Sequence, residues 1–571
     1  MKFPNLKDLG DSMFLKRRHL EILKTLMEKK DVKNLYPEDF KTRVLELFIL
    51  GFVDFEDGEV KLTQAGRKLG RVVEKLDVDR LPEIFADTEI VKIIQLGVET
   101  DYLPKEWMKK LEERQMATNG KINEIGREIL SIYRTTHPLL YLTKEIVNFI
   151  DGMPKIGEFE ELVAYKNTLG YGDNIINALQ AMRMLLISPQ TDGKAFTTTK
   201  ALELALKVAK YTDFEKPIVL KAKDVRLLKR GKGSNSLEEM GLWDGNVTDL
   251  GRSALETYEA IGVVEERLYP MYLLEDEIEV INAVREIERI NRHTPDMLPT
   301  YSEIEKRVRV GDLGAILHIL ESKELIERRF VKGKDTYWTT KWSWIVDYGE
   351  FTVDGVKALT YSISGDVPIF EWVRKAKEEN LVKGGITKKG RSILDFTKGI
   401  DRKPYLTKFD VAILIKMPKR FVIKDNLIQS VVDYVKCDEK EIVRAIGECE
   451  AKGWVEELQN KTVRLTKLGK ALKEAISYAK TRELLSTKFA VTPTTYNVLK
   501  VIYENLDVFN KIWKESREIK NYKQDEVDFI KKRLSLSEDE IKKALTILRV
   551  TGFIGKKSLT KAGRLLVRAY L

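Results

Sequence analysis

The chain has 571 residues, of which 43% are hydrophobic and 33% charged, enough apolar content for packed cores and too much for a mostly disordered polyampholyte. No apolar run reaches the ~18 residues that suggest a membrane span, and two cysteines, Cys437 and Cys449, exclude a disulfide framework. Lys and Arg number 99 against 89 Asp and Glu, so the net charge of +10 matters only where it is concentrated.

The opening residues, 1–12, lack the apolar stretch of a signal peptide. With the low thiol count, this predicts a cytoplasmic protein. Abundant Lys and Glu beside only eight glutamines is a thermophile-like bias. Lys16, Arg17 and Arg18 read as the solvated face of a first helix.

From Val44 a pattern begins that recurs along the whole chain. Val44, Leu45, Phe48 and Ile49 keep a helical period, and Gly51 is placed to stop the helix. Phe52 to Phe55 reads as a strand, Glu56-Asp57-Gly58 as a turn, and Val60 to Leu62 as a returning strand. Thr63 then stands where it caps a new helix, within Leu62-Thr63-Gln64-Ala65-Gly66-Arg67. A weaker copy is Ile122-Asn123-Glu124-Ile125-Gly126-Arg127, and Phe196-Thr197-Thr198-Thr199-Lys200 lacks the glycine. Val247-Thr248-Asp249-Leu250-Gly251-Arg252 follows, then another copy without glycine, Trp338-Thr339-Thr340-Lys341. The last three are Ile386-Thr387-Lys388-Lys389-Gly390-Arg391, Leu465-Thr466-Lys467-Leu468-Gly469-Lys470 and Leu559-Thr560-Lys561-Ala562-Gly563-Arg564. The key positions from Gly66 to Gly563 span 497 residues in seven intervals with a mean of 71.

Helix, glycine stop, hairpin and capped helix form the second half of a winged helix-turn-helix unit. The expected fold is therefore mainly α with small β-hairpins (α+β), a tandem array of about eight such units. The expected boundaries are 1–80, 81–142, 143–212, 213–275, 276–345, 346–404, 405–485 and 486–571.

Catalytic chemistry is hard to find. Gly385 to Ser392 imitates a phosphate-binding loop, but Arg391 replaces the lysine and no apolar strand precedes it. His19, His137, His293 and His318 form no metal pair at helical spacing, and His318 is expected in a core. Cys449 is expected to be buried and inert. The aromatics Phe330, Tyr337, Trp338, Trp342 and Trp344 read as core. The chain thus reads as a non-enzyme with no cofactor and no metal.

The charge is uneven. Residues 541–571 hold eight basic side chains and no acidic one: Lys542, Lys543, Arg549, Lys556, Lys557, Lys561, Arg564 and Arg568. These are the expected nucleic-acid contacts. A second basic group, Lys221, Lys223, Arg226, Lys229, Arg230 and Lys232, runs into the loop-like Gly231 to Ser236, and reads equally as a phosphate contact or a solvated surface. Other units are acidic. The first hairpin carries Asp54, Glu56, Asp57 and Glu59, and suits packing or protein partners.

Across nearly its whole length, through the repeated segments quoted above, the chain resembles an archaeal family of long winged-helix proteins known as domain of unknown function 505. The resemblance carries no site residues with it. The size, the Lys/Glu-rich composition and the basic end are also similar to an archaeal ribosome dimerisation factor. That resemblance implies binding to the small ribosomal subunit, through rRNA and ribosomal proteins, as a homodimer. It also implies pairing of subunits and a block on joining to the large one. A DNA-binding transcription regulator and a protein-binding scaffold are the alternatives that the residues leave open; no membrane partner is expected.

Overall fold

The computed structural model describes residues 15–28, 40–56, 59–189, 193–515 and 522–571. The turn expected at Asp57 and Gly58 and the opening residues 1–12 lie outside them. Helices dominate, joined to eight antiparallel sheets of only two or three strands among the described residues, an α+β fold. The chain forms two compact bodies, Met1–Arg267 with Ala358–Thr387, and Leu268–Lys357 with Lys388–Leu571.

One local geometry recurs eight times. A helix ends on a residue in the left-handed region, with φ between 53° and 85°: Gly51, Gln115, Arg183, Gly241, Glu324, Asn380, Gly453 and Gly552. That reversal satisfies late helix carbonyls and turns the chain into a short hairpin. After the hairpin comes Thr63, Asn123, Thr199, Thr248, Thr340, Thr387, Thr466 or Thr560. Each sends its backbone N–H to the carbonyl just past the stop. Its side chain also donates to the carbonyl of the stop residue itself, at 2.6 to 3.1 Å for all but the Thr340 bond to Glu324. Both ends of each hairpin are therefore pinned by one polar side chain.

The glycine of the repeat has a steric cause. The first turn of the next helix passes over the carbonyl that receives the Thr N–H. A Cβ at Gly469 would sit 1.9 Å from Trp454 O. With glycine there, its amide comes close enough for the Thr466 hydroxyl to accept it at 3.0 Å. In the two copies that lack glycine, this cap is absent at Thr199, and at Thr340 the hydroxyl accepts from Trp342 instead.

Within each body, short strands opening successive repeats pair in twos. Leu15–Lys16 pairs with Ile84–Ala86, and Leu140–Leu142 with Ile218–Leu220. In the second body Leu273 bridges Phe351, and Leu406–Thr407 pairs with Phe489–Val491. The helices that follow the hairpins pack together in the same pairing: Gln64–Val73 on Glu124–Thr135, Lys200–Val208 on Asp249–Glu259, and Lys467–Tyr478 on Lys561–Arg568. The apolar core of the second body runs through both partners of the last pair, from Leu406 to Val567.

Several expectations meet the structure here. Cys449 is fully buried and its thiol donates to Asp410 at 3.3 Å. Burial, followed by the nearby Asp410 charge, pushes that thiol well above its usual range. His318 is not core: it lies at the edge of the apolar stripe of Leu313–Ser322, 29% exposed, with its ring 5.4 Å from Phe489. Of the aromatic group, Tyr337 is buried, Trp338, Trp342 and Trp344 are half-buried, and Phe330 is exposed on its strand. Lys16 is buried, while Arg17 and Arg18 lie within 4.0 Å of Glu21.

Candidate nucleic-acid interface

The basic C-terminal segment starts inside the helix Glu538–Val550. Ser537 caps that helix, and Glu538, Asp539 and Glu540 fill its first turn, where free amides favour negative charge. The acid-free run thus begins one residue after three acids. Lys542 reaches back to Glu538 at 2.5 Å and Lys543 to Glu540 at 3.5 Å. Both lysines are half or more exposed, so these pairs are weak and exchangeable. Arg549 is different. Its guanidinium holds both oxygens of Glu526, at 2.7 and 2.6 Å. Glu526 is 1% exposed and also accepts the indole N–H of Trp513 at 2.6 Å. Arg549 is committed to the interior and does not face a partner.

Beyond Gly552 the chain makes its last hairpin, closed by the Ile554–Leu559 bridge and by Gly555 N–H to Ser558 O at 2.8 Å. Lys556 and Lys557 stand exposed at its tip. On Lys561–Arg568, the basic residues Lys561, Arg564 and Arg568 recur at spacings of three and four and share one exposed face. Lys561 lies 3.8 Å over the Tyr478 ring, and Arg568 donates to the Tyr503 hydroxyl at 3.1 Å. The side chains of Lys556 and Arg564 make no hydrogen bond or ion pair among the described residues. Five exposed cations on one hairpin and one helix, with no carboxylate between them, form the most concentrated positive surface of the segment.

The second basic group is not a loop. Lys223, Arg226 and Lys229 lie on a helix, Ala222–Lys229, where Arg226 and Lys229 complement its C-terminal end. A short helix, Asn235–Glu239, follows, capped by Ser234, so the last two residues of the Gly231 to Ser236 stretch are helical. Asp224 caps the start of this first helix by accepting the Lys221 N–H at 3.2 Å, a signal visible in the sequence as the one acid of the cluster. Lys221 pairs with Asp54 at 2.6 Å, and Lys229 pairs with Glu259. Lys223, Arg230 and Lys232 are exposed, without an ion pair among the described residues. The acidic first hairpin thus neutralises part of this basic cluster within its own body.

A family described as "Protein of unknown function (DUF505)" matches residues 13–311 and 309–570. The chain belongs to that family. It is also 52% identical over 567 residues to the uncharacterized protein MJ1355 of Methanocaldococcus jannaschii, covering 98% of this chain and 99% of that one. No solved structure matches. The family model matches twice, in two nearly abutting stretches that together run from residue 13 to residue 570. Among the described residues no cluster of three or more His, Cys, Asp or Glu is arranged to hold a metal ion. None of their helices is long and apolar enough to cross a membrane.

Proposed function

We propose that this DUF505 protein is an array of eight winged helix-turn-helix units that works as a non-enzymatic, ribosome-associated factor. Its last hairpin and helix hold rRNA phosphates of the small subunit. The observation that carries the reading is the five-cation face of Lys556, Lys557, Lys561, Arg564 and Arg568. Phosphate contacts need dense positive charge and no fixed base pattern. The acidic hairpins, such as that of Asp54 and Glu59, are left for protein contacts.

The reading is preferred over a DNA-binding regulator because of one helix. In groove-reading units the N-terminal residues of the recognition helix meet base edges. Here those residues are Glu538, Asp539 and Glu540, which a phosphate-lined groove repels. The resemblance in size and composition extends the proposal to a homodimer that pairs small subunits and blocks subunit joining.

The test is sedimentation of the native protein in a lysate gradient with and without RNase. Co-migration with small subunits that collapses after RNase is the expected result. Migration unchanged by RNase contradicts the rRNA contact.

A further inference from the structure

The first body contains two adjoining cavities, of about 70 and 150 Å³. The smaller is walled mainly by apolar side chains, among them Leu50, Phe52, Leu69, Ile129 and Ile132. Both are lined by Thr88, Val91, Tyr133 and Arg183, so one wall serves the two. The larger opens past Val263 and Val264, which are 50% and 64% exposed. A volume of about 150 Å³ is enough for a benzene ring.

Arg183 is the unusual member. It is one of the eight helix-stop residues, with φ 53°, where four other repeats carry glycine. Its guanidinium lies 3.9 Å over the Tyr133 ring, and Nη2 donates to the carbonyls of Tyr133 and Thr136 at 2.5 and 2.9 Å. Nε and Nη1 make no hydrogen bond among the described residues, and no carboxylate lies within ion-pair distance. Nη1 is directed towards Gly262, on the wall of the larger cavity. The two acids that line the cavities are engaged elsewhere. Asp87 accepts the Ile90 N–H at 2.8 Å, and Asp366 is held by Lys92 at 3.1 Å and Arg267 at 2.7 Å. A second group also lacks a partner among the described residues: Thr136 lines the smaller cavity, is 8% exposed, and its buried Oγ1 makes no hydrogen bond there.

A half-buried cation with open donors, beside an unsatisfied hydroxyl and an apolar slot, is complementary to an organic anion with a flat apolar body. We propose that the joined cavities bind a small aromatic carboxylate, with its ring in the larger cavity against Val91, Leu186, Val263 and Val367 and its carboxylate on the open donors of Arg183. A charged hydrogen bond of this kind contributes more than a neutral one, and the planar guanidinium keeps its charge on burial. The lining of the two cavities comes from five repeats of the first body, from Leu15 of the first to Val367 of the sixth, so the ligand ties them together.

The test uses the full chain and isothermal titration with benzoate, its neutral isostere benzamide, and acetate at constant ionic strength. Benzoate is expected to bind at least about tenfold more tightly than benzamide, as the loss of a charged hydrogen bond implies, with no heat from acetate. Arg183→Gly suits the backbone at φ 53° and is expected to keep the fold while weakening benzoate about tenfold or more. Val91→Phe fills the shared wall, leaves the charge in place, and is expected to abolish binding of both aromatic probes. Equal affinity for benzoate and benzamide, no benzoate heat at millimolar concentration, or unaltered benzoate binding by either variant overturns the proposal.

Discussion

Gly469 and Gly447 show how one residue type carries opposite constraints. A methyl at Gly469 would collide with Trp454 O, whereas one at Gly447, within Glu439–Ala451, meets nothing closer than Val353 Cγ2 at 4.0 Å. Gly469→Ala is therefore expected to cost about 1–3 kcal/mol through overpacking. Gly447→Ala is expected to gain up to about 1 kcal/mol of helix stability. Urea midpoints of the two variants check the contrast. Asp366 supplies a pH test. Burial alone would raise its carboxyl, but Lys92 and Arg267 outweigh that and hold it below 3.8. A carboxyl depressed in the fold stabilises above its unfolded value and loses that contribution as pH falls through the folded one. The protein should therefore lose stability below about pH 4, and Asp366→Asn should flatten that loss while costing about 3 kcal/mol at neutral pH. Thermal midpoints from pH 7 to 3 read both effects. At this scale the sequence showed the Thr caps and the glycines, because their cause is local. It did not show Asp366 between Lys92 and Arg267, because those three residues meet only in the folded body.

The helix Glu538–Val550 separates two kinds of basic residue that look alike in sequence. Arg549→Met strands Glu526 in the interior and is expected to cost about 3–5 kcal/mol, with little effect on RNA affinity. Lys556→Ser, at the exposed hairpin tip, is expected to leave the urea midpoint unchanged, to weaken rRNA binding by removing one phosphate contact, and to make that binding less salt-dependent. Urea titration and filter binding at two salt concentrations distinguish the two. The acid-free run from Ile541 to Leu571 was legible, yet its neutralising partners were not. Glu526 lies on a different helix, Tyr522–Lys531, and Glu538 and Glu540 lie one turn upstream of the run. The second basic group was misread as a loop because Gly231 and Gly233 are strong turn signals, while the Asp224 cap that starts its helix is a single weak one.

For the whole molecule, repetition was the most legible property, since each repeat leaves a Thr or Asn after its hairpin and four of the eight leave a glycine at the helix stop. The pairing of repeats was less so. It rests on two- and three-residue strands such as Leu15–Lys16 with Ile84–Ala86, too short to leave an alternating pattern. The strand openings nonetheless carry a sign: Asp87, Thr143, Thr407 and Thr492 each cap the helix that follows. The central claim is that the chain meets the ribosome through its last hairpin and helix. The most direct measurement is a lysate gradient of the wild type beside Lys556→Glu/Lys557→Glu/Arg564→Glu, three exposed positions whose reversal leaves every buried ion pair intact. The wild type is predicted to co-sediment with small subunits and the variant, still folded, to remain at the top of the gradient. Co-sedimentation of the variant with small subunits at the wild-type level would contradict the account.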